Sequence, residues 1–212
     1  MKRTIRYLLF AAASLHSAAA LAMYTPNPAA RWQEGHFYLA GDFQFIGDKD
    51  LSGGQINNIY GVYARPGFSV ARNVVVYGRL GFQGADSVDT GFAGGFGVQG
   101  SWVFPRQKAW AIGGAFDYLH WSANIHHGGP DISWNEFQFT PAVSYRVPDL
   151  PELTPYFGIL FDIVDGRDSL SQGDPVGLLL GSNYDPSSHV RLDAQVRVVT
   201  ETAFSFSMAF VF

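Results

Sequence analysis

Residues 203–212, AFSFSMAFVF, constrain this chain more than any other stretch. Side chains alternate across a strand with period two. Phe204, Phe206, Met208, Phe210 and Phe212 therefore share one face, and Ala203, Ser205, Ser207, Ala209 and Val211 share the other. One face is wide and apolar; the other is narrow and partly polar. A strand in a water-soluble sandwich turns its bulky apolar face inward against a second sheet. A strand in a membrane barrel turns its bulky groups to lipid and keeps small or polar groups inside.

The same inversion recurs upstream. Over 190–199, Val190, Leu192, Ala194, Val196 and Val198 fall on one face, with Arg191, Asp193, Gln195 and Arg197 on the other. Over 155–164, Phe157, Ile159, Phe161 and Ile163 oppose Asp162. Over 133–147, Phe137, Phe139, Val143 and Tyr145 oppose Glu136, Gln138, Ser144 and Arg146. The remaining strands add Asp42, Arg65, Arg79 and Asp117 to the polar face. With the apolar faces in lipid, five acids and five arginines share a lumen. Charges in a narrow, dry interior are strongly penalised unless paired, and the equal count implies pairing.

The pattern predicts an all-β fold, a closed antiparallel transmembrane β-barrel of ten strands. The expected strands lie near 36–47, 58–70, 74–83, 91–104, 109–122, 133–147, 155–164, 176–183, 190–199 and 203–212. Connections after even strands are tight. Those after odd strands are longer and acidic, at 48–54, 84–90, 123–132 and 165–174. Short turns on one side and longer loops on the other are the barrel pattern, and an even strand count puts both termini in the periplasm. The link at Thr200-Glu201-Thr202 is short for an outside loop, which keeps eight strands open as an alternative. Pro66 and Pro141 fall inside expected strands, where a closed barrel has no edge to hide a missing donor; bulges or strand ends are the expected resolution.

The start of the chain points to the same compartment. Lys2, Arg3 and Arg6 precede a short apolar run over 7–15, and Ala20-Leu21-Ala22 forms a small-x-small cleavage site, so residues 1–22 read as a signal peptide. Residues 23–34 are then a periplasmic segment and 35–212 the barrel. Without Lys2, Arg3 and Arg6, 11 Lys and Arg remain against 18 Asp and Glu, a net charge of about −7. That balance argues against nucleic acid as a partner. With no cysteine, neither a disulfide scaffold nor a thiolate metal site is available.

The whole stretch after residue 22 resembles the small bacterial outer-membrane β-barrels of the OmpA-transmembrane and opacity-like families. The resemblance rests on the strand pattern, on Tyr77-Gly78-Arg79-Leu80-Gly81-Phe82 and on the terminal Phe212. It implies a porin-like membrane protein in the outer membrane of a Gram-negative bacterium. It also implies contact with outer-membrane lipid and lipopolysaccharide, a monomeric state and no cofactor. Phe204, Phe206, Met208, Phe210 and Phe212 would then be the signal read by the barrel-assembly machinery.

Fold does not fix activity, so three roles are carried forward. The preferred one is a structural or surface-interaction barrel with a lumen filled by charged pairs and acidic outer loops. The second is a narrow channel for small solutes. The third is enzymatic. His120 and Ser122 in Tyr118-Leu119-His120-Trp121-Ser122 resemble the His-x-Ser motif of outer-membrane lipid A deacylases, with His as base, Ser as nucleophile and a later Glu orienting the His. Glu136 is the nearest glutamate downstream, sixteen residues after His120. The same residues suit an interfacial aromatic girdle, which is the preferred reading. His126, His127 and Asp131 are suitable metal ligands, but adjacent residues in a loop make a poor preformed site, and no metal is expected. Asp48, Asp50, Asp86, Asp89, Asp165, Asp168 and Asp174 read as solvated loop charges.

Overall fold

Ten antiparallel strands pair in sequence order, and the ladder closes when the last strand meets the first. The computed structural model describes residues 23–51, 54–86, 88–124, 131–166, 176–198 and 202–212. The strands are β1 (Phe37–Leu51), β2 (Gly54–Ala71), β3 (Val74–Ala85), β4 (Val88–Val103) and β5 (Trp110–Asn124), followed by β6 (Asp131–Tyr145), β7 (Leu153–Gly166), β8 (Val176–Ser187), β9 (Val190–Val198) and β10 (Ala203–Val211). Closure pairs Tyr38 with Val211 through Ile46 with Ala203. The expected ten strands stand in the expected order, and the eight-strand alternative falls.

The two faces divide by chemistry. Phe204, Phe206, Met208, Phe210 and Phe212 are exposed on the exterior, while Ala203, Ser205, Ser207 and Ala209 are buried inside. Phe37, Leu39, Phe43 and Phe45 do the same on β1, and Phe157, Ile159, Phe161 and Ile163 on β7. In water this surface would be a single aggregating patch. In hydrocarbon it is the matched solvent, and closure leaves no unpaired backbone edge facing it. The barrel is therefore a transmembrane one.

Two details depart from the sequence reading. Asp48, Lys49, Asp50 and Leu51 pair with Asn57, Ile56, Gln55 and Gly54, and Ala85 pairs with Val88. The first two acidic connections are thus largely hairpin, because a ladder needs only backbone groups and continues through polar residues. The prolines also sit differently. The β2–β3 ladder is interrupted between Ala64–Leu80 and Gly67–Tyr77 beside Pro66, and the β6–β7 ladder between Phe139–Phe161 and Ala142–Gly158 beside Pro141. The register is the same on both sides of each gap. Each proline drops out of pairing on one side and stays paired on the other, with Leu39 or Gly114. The shifts fall elsewhere, at Ser69/Ala71, Gln83/Ala85 and Tyr184/Ser187.

Phe161 lies opposite Phe139, with ring centroids 6.3 Å apart, on the exterior. Placing arginine there should destabilise the barrel by about 2–4 kcal/mol near the bilayer midplane. Denaturant titration of detergent- or lipid-folded Phe161→Arg checks this, and a near-neutral result would contradict the assigned face.

Candidate functional site

The lumen is layered. At the end that carries Phe37 and Val211, here the terminal end, Ala30, Trp32, Tyr38, Ala40, Val75, Tyr77 and Ala209 form an apolar cluster. At the opposite, loop end, Ile46, Ile59, Leu119, Trp121, Trp134 and Val164 cluster around Met23. The Trp121 and Trp134 rings meet edge to face at 4.1 Å, and the Trp121 indole N–H donates to the Gln83 carbonyl at 3.0 Å. Polar and charged side chains lie between these layers.

Three clusters organise that middle layer. Arg65 grips Asp42 with two bonds, Nε to Oδ2 at 2.7 Å and Nη2 to Oδ1 at 3.0 Å. Arg65 Nη1 also donates to the Tyr38 hydroxyl at 2.9 Å, and the Ser207 hydroxyl donates to Asp42 at 2.6 Å. Such a fork-to-fork pair is the strong geometry for a buried ion pair. In the second cluster, Arg79 lies 3.4 Å from Asp117, which also accepts from the Tyr77 hydroxyl at 2.8 Å. In the third, Asp193 accepts from Tyr24 at 3.0 Å, Tyr156 at 2.9 Å and the Asn183 amide at 2.5 Å. Neutral donors, rather than an arginine, hold that carboxylate.

Residues 23–31 run through this layer. They are not a segment outside the barrel, which corrects the reading of 23–34 as periplasmic. Met23 N–H donates to Glu136 Oε1 at 2.8 Å, and Tyr24 N–H to Gln44 at 2.8 Å. Arg79 donates to the Tyr24 carbonyl at 2.5 Å, and Arg197 to the Met23 carbonyl. Gln99, Ser144 and Ser101 donate to the carbonyls of Asn27, Ala29 and Ala30 at 3.3, 3.2 and 2.7 Å. Thr25 donates to Gln138, and Asn27 to Asn183 at 2.5 Å. The segment threads the barrel with a turn at 28–29, where Ala29 and Ala30 N–H donate to Asn27, and wall side chains supply partners that a neighbouring strand would have given. Pro26 and Pro28 lack an N–H, so the backbone here has fewer donors to satisfy. The wall makes room as well: a Cβ on Gly113 would meet the Pro28 carbonyl oxygen at 2.2 Å.

The terminal end anchors the segment. The β2–β3 turn places Asn73 at φ 61°, a conformation that asparagine tolerates better than most residues. Its side chain accepts from Trp32 N–H at 3.0 Å, and its N–H donates to the Trp32 carbonyl at 3.1 Å. Trp32 stacks on Tyr38 at 4.7 Å, and the Arg191 guanidinium covers the Trp32 ring at 4.3 Å.

Asp42, Arg65, Arg79, Asp117, Glu136, Asp162, Asp193 and Arg197 are all buried in the lumen. Arg191 guards its mouth and pairs with Asp185 at 2.8 Å. Arg146 does not belong to the set. β6 ends at Tyr145, and the exposed Arg146 turns to the Pro151 carbonyl at 2.7 Å, a partner only the following turn provides. Burial first, and the Arg146 charge second, lower the pKa of Arg31 at the same rim. Among the described residues the buried lumen charges are thus five carboxylates and three guanidinium groups, not five of each.

The deacylase-like residues do not assemble. His120 and Ser122 are exposed on the exterior, whereas Glu136 is buried inside with Met23. Strand alternation puts Glu136 on the face opposite the preceding residue Asn135, which meets His120 Nδ1 at 3.1 Å. The Tyr118 hydroxyl donates to the same Asn135 oxygen at 2.8 Å. Asp165, the cross-strand neighbour of Asn135, lies two strands from His120. His126, His127, Asp168 and Asp174 lie outside the described residues, as do the side chains of Asp48, Asp50 and Asp131.

No family model and no curated protein matches this chain. Among solved structures it is similar to the translocator domain of the autotransporter NalP from Neisseria meningitidis, with a TM-score of 0.49, 12% identity and coverage of 84% of this chain and 88% of that one. An outer membrane channel from Pseudomonas putida F1 gives 0.47 and 9%, covering 90% and 100%. Neisserial surface protein A gives 0.37 and 16%, covering 84% and 98%. The fold assignment rests on the closed ladder and the inverted faces, not on these likenesses. The class so defined is the small membrane-spanning β-barrel of the outer-membrane type.

Removing Asp42 strands the Arg65 charge in a dry interior. Asp42→Ala should cost about 3–5 kcal/mol, whereas replacing both partners with apolar residues should cost much less. Unfolding titrations of the two variants test the difference.

Proposed function

We propose that this chain is a structural or surface-interaction barrel of the outer membrane, sealed by its own amino-proximal segment rather than open to solutes. One observation carries the reading: residues 23–31 run along the lumen and are hydrogen-bonded to its wall from the loop-end cluster to the terminal-end cluster. The void beside Tyr24, Asn27, Asn183 and Asp193 measures about 10 Å³, room for about one water molecule. A narrow channel needs a continuous wet path, and the plug, packed at its outer end in the loop-end apolar cluster, opposes one. Among the described residues no acid stands beside His120, and the lipid A deacylase reading is not pursued.

In this reading residues 1–22 direct export and are removed, the start of β1 and Phe212 face the periplasm, and the new amino terminus at Met23 lies inside the lumen toward the loop end. The hairpins at the other end, with Asp86 and Asp89 exposed, meet the outside medium and neighbouring lipopolysaccharide. The exterior stripe from Phe204 to Phe212 is the segment offered to the barrel-assembly machinery.

Planar-bilayer recordings test the seal. The intact protein should be electrically silent, and a variant lacking residues 24–31 should carry steady current. Steady current through the intact protein would overturn the proposal. Deleting Phe212 should leave a protease-sensitive chain that fails to show heat-modifiable migration on gels of the outer-membrane fraction. Normal folding of that variant would remove the assembly role.

A further inference from the structure

We infer that the processed chain begins at Met23 and that its α-ammonium group is the counter-ion of Glu136 inside the lumen. The inference deepens the sealed-lumen reading, and three independent observations meet at one atom. The small-x-small site Ala20-Leu21-Ala22 ends immediately before Met23. The Met23 nitrogen lies 2.8 Å from Glu136 Oε1, and Glu136 is 1% exposed. The described lumen charges fall short on the positive side, with five carboxylates against three guanidinium groups.

Processing supplies what is lacking. A signal peptidase hydrolyses the Ala22–Met23 peptide bond with one water. The carboxylate leaves on Ala22, and the released Met23 amine takes a proton. Before cleavage the Met23 nitrogen is a neutral amide with one hydrogen to give. Afterwards it is a cation with three. A hydrogen bond from a charged donor to a carboxylate is roughly twice as strong as a neutral one, and a carboxylate buried without a counter-charge is the costly alternative. The site holds the new terminus on three sides: Glu136 takes the nitrogen, Arg197 takes the Met23 carbonyl, and the Met23 side chain packs with Leu119, Trp121 and Trp134. Cleavage therefore does more than release the chain for export. It creates the charge that fastens the far end of the plug.

The test uses the full protein purified from outer membranes. Intact mass should correspond to a chain beginning at Met23. An amine-acetylating reagent, followed by peptide mapping, should modify the exposed Lys108 quickly. The Met23 amine should react more than about tenfold slower in the folded barrel than in the unfolded chain. In Glu136→Gln that protection should fall while heat-modifiable migration persists. Should this variant fail to fold, the mass and labelling rates of the unmutated protein still decide. A mass starting at another residue, or a Met23 amine as reactive as Lys108 in the folded barrel, would overturn the inference. So would a folded Glu136→Gln barrel that protects the amine as well as the parent. A protected Met23 amine in a protein that nevertheless conducts would sink the sealed-lumen reading and leave the ion pair standing.

Discussion

The constraint that shapes this molecule is the requirement that every polar group within the hydrocarbon layer find a partner inside the protein. The closed ladder satisfies the backbone. Side chains then have two destinations: lipid, which accepts Phe, Leu, Ile and Val, and the lumen, which receives everything else. The Arg65–Asp42 fork, the Arg79–Asp117–Tyr77 cluster and the hydroxyl- and amide-bound Asp193 follow from that division. None is a surface ion pair weakened by salt and solvent.

Ten strands enclose more space than eight, and an eight-stranded interior is just wide enough for side chains to fill. Here the excess is taken up by backbone. The wall glycines and tyrosines fit around it: Tyr38 lies against Gly67, Tyr77 against Gly97 and Tyr156 against Gly181, at separations a Cβ would not permit. Flat phenol rings line the space left over; the Tyr77 and Tyr156 hydroxyls reach Asp117 and Asp193, and the Tyr38 hydroxyl accepts from Arg65.

The wall was legible in the sequence because its signal is strictly periodic. AFSFSMAFVF and the Val190–Val198 alternation identify faces without knowledge of neighbours, and strand order follows from tight turns. What could not be read was anything set by position across the barrel. Arg146 alternates correctly with Ser144, but the strand stops one residue earlier, so parity predicts a lumen it never enters. Glu136 lies close to His120 along the chain, but a wall one strand thick separates them. The plug was missed because MYTPNPAA has no period and no charge. Of the glutamines that hold it, only Gln138 is among the residues assigned to the polar face from the sequence; it accepts from Thr25, while Gln44 and Gln99, not singled out in the sequence, bind Tyr24 and Asn27.

The plug is joined to β1 through residues 32–36, a tether of a few residues. Its occupancy is therefore an intramolecular equilibrium, governed by an effective concentration on the millimolar scale for so short a link. Dilution of the protein in the membrane cannot empty the barrel, and a free peptide of the same sequence would compete only at comparably high levels. The seal belongs to each molecule separately, and it is set before any second molecule is met.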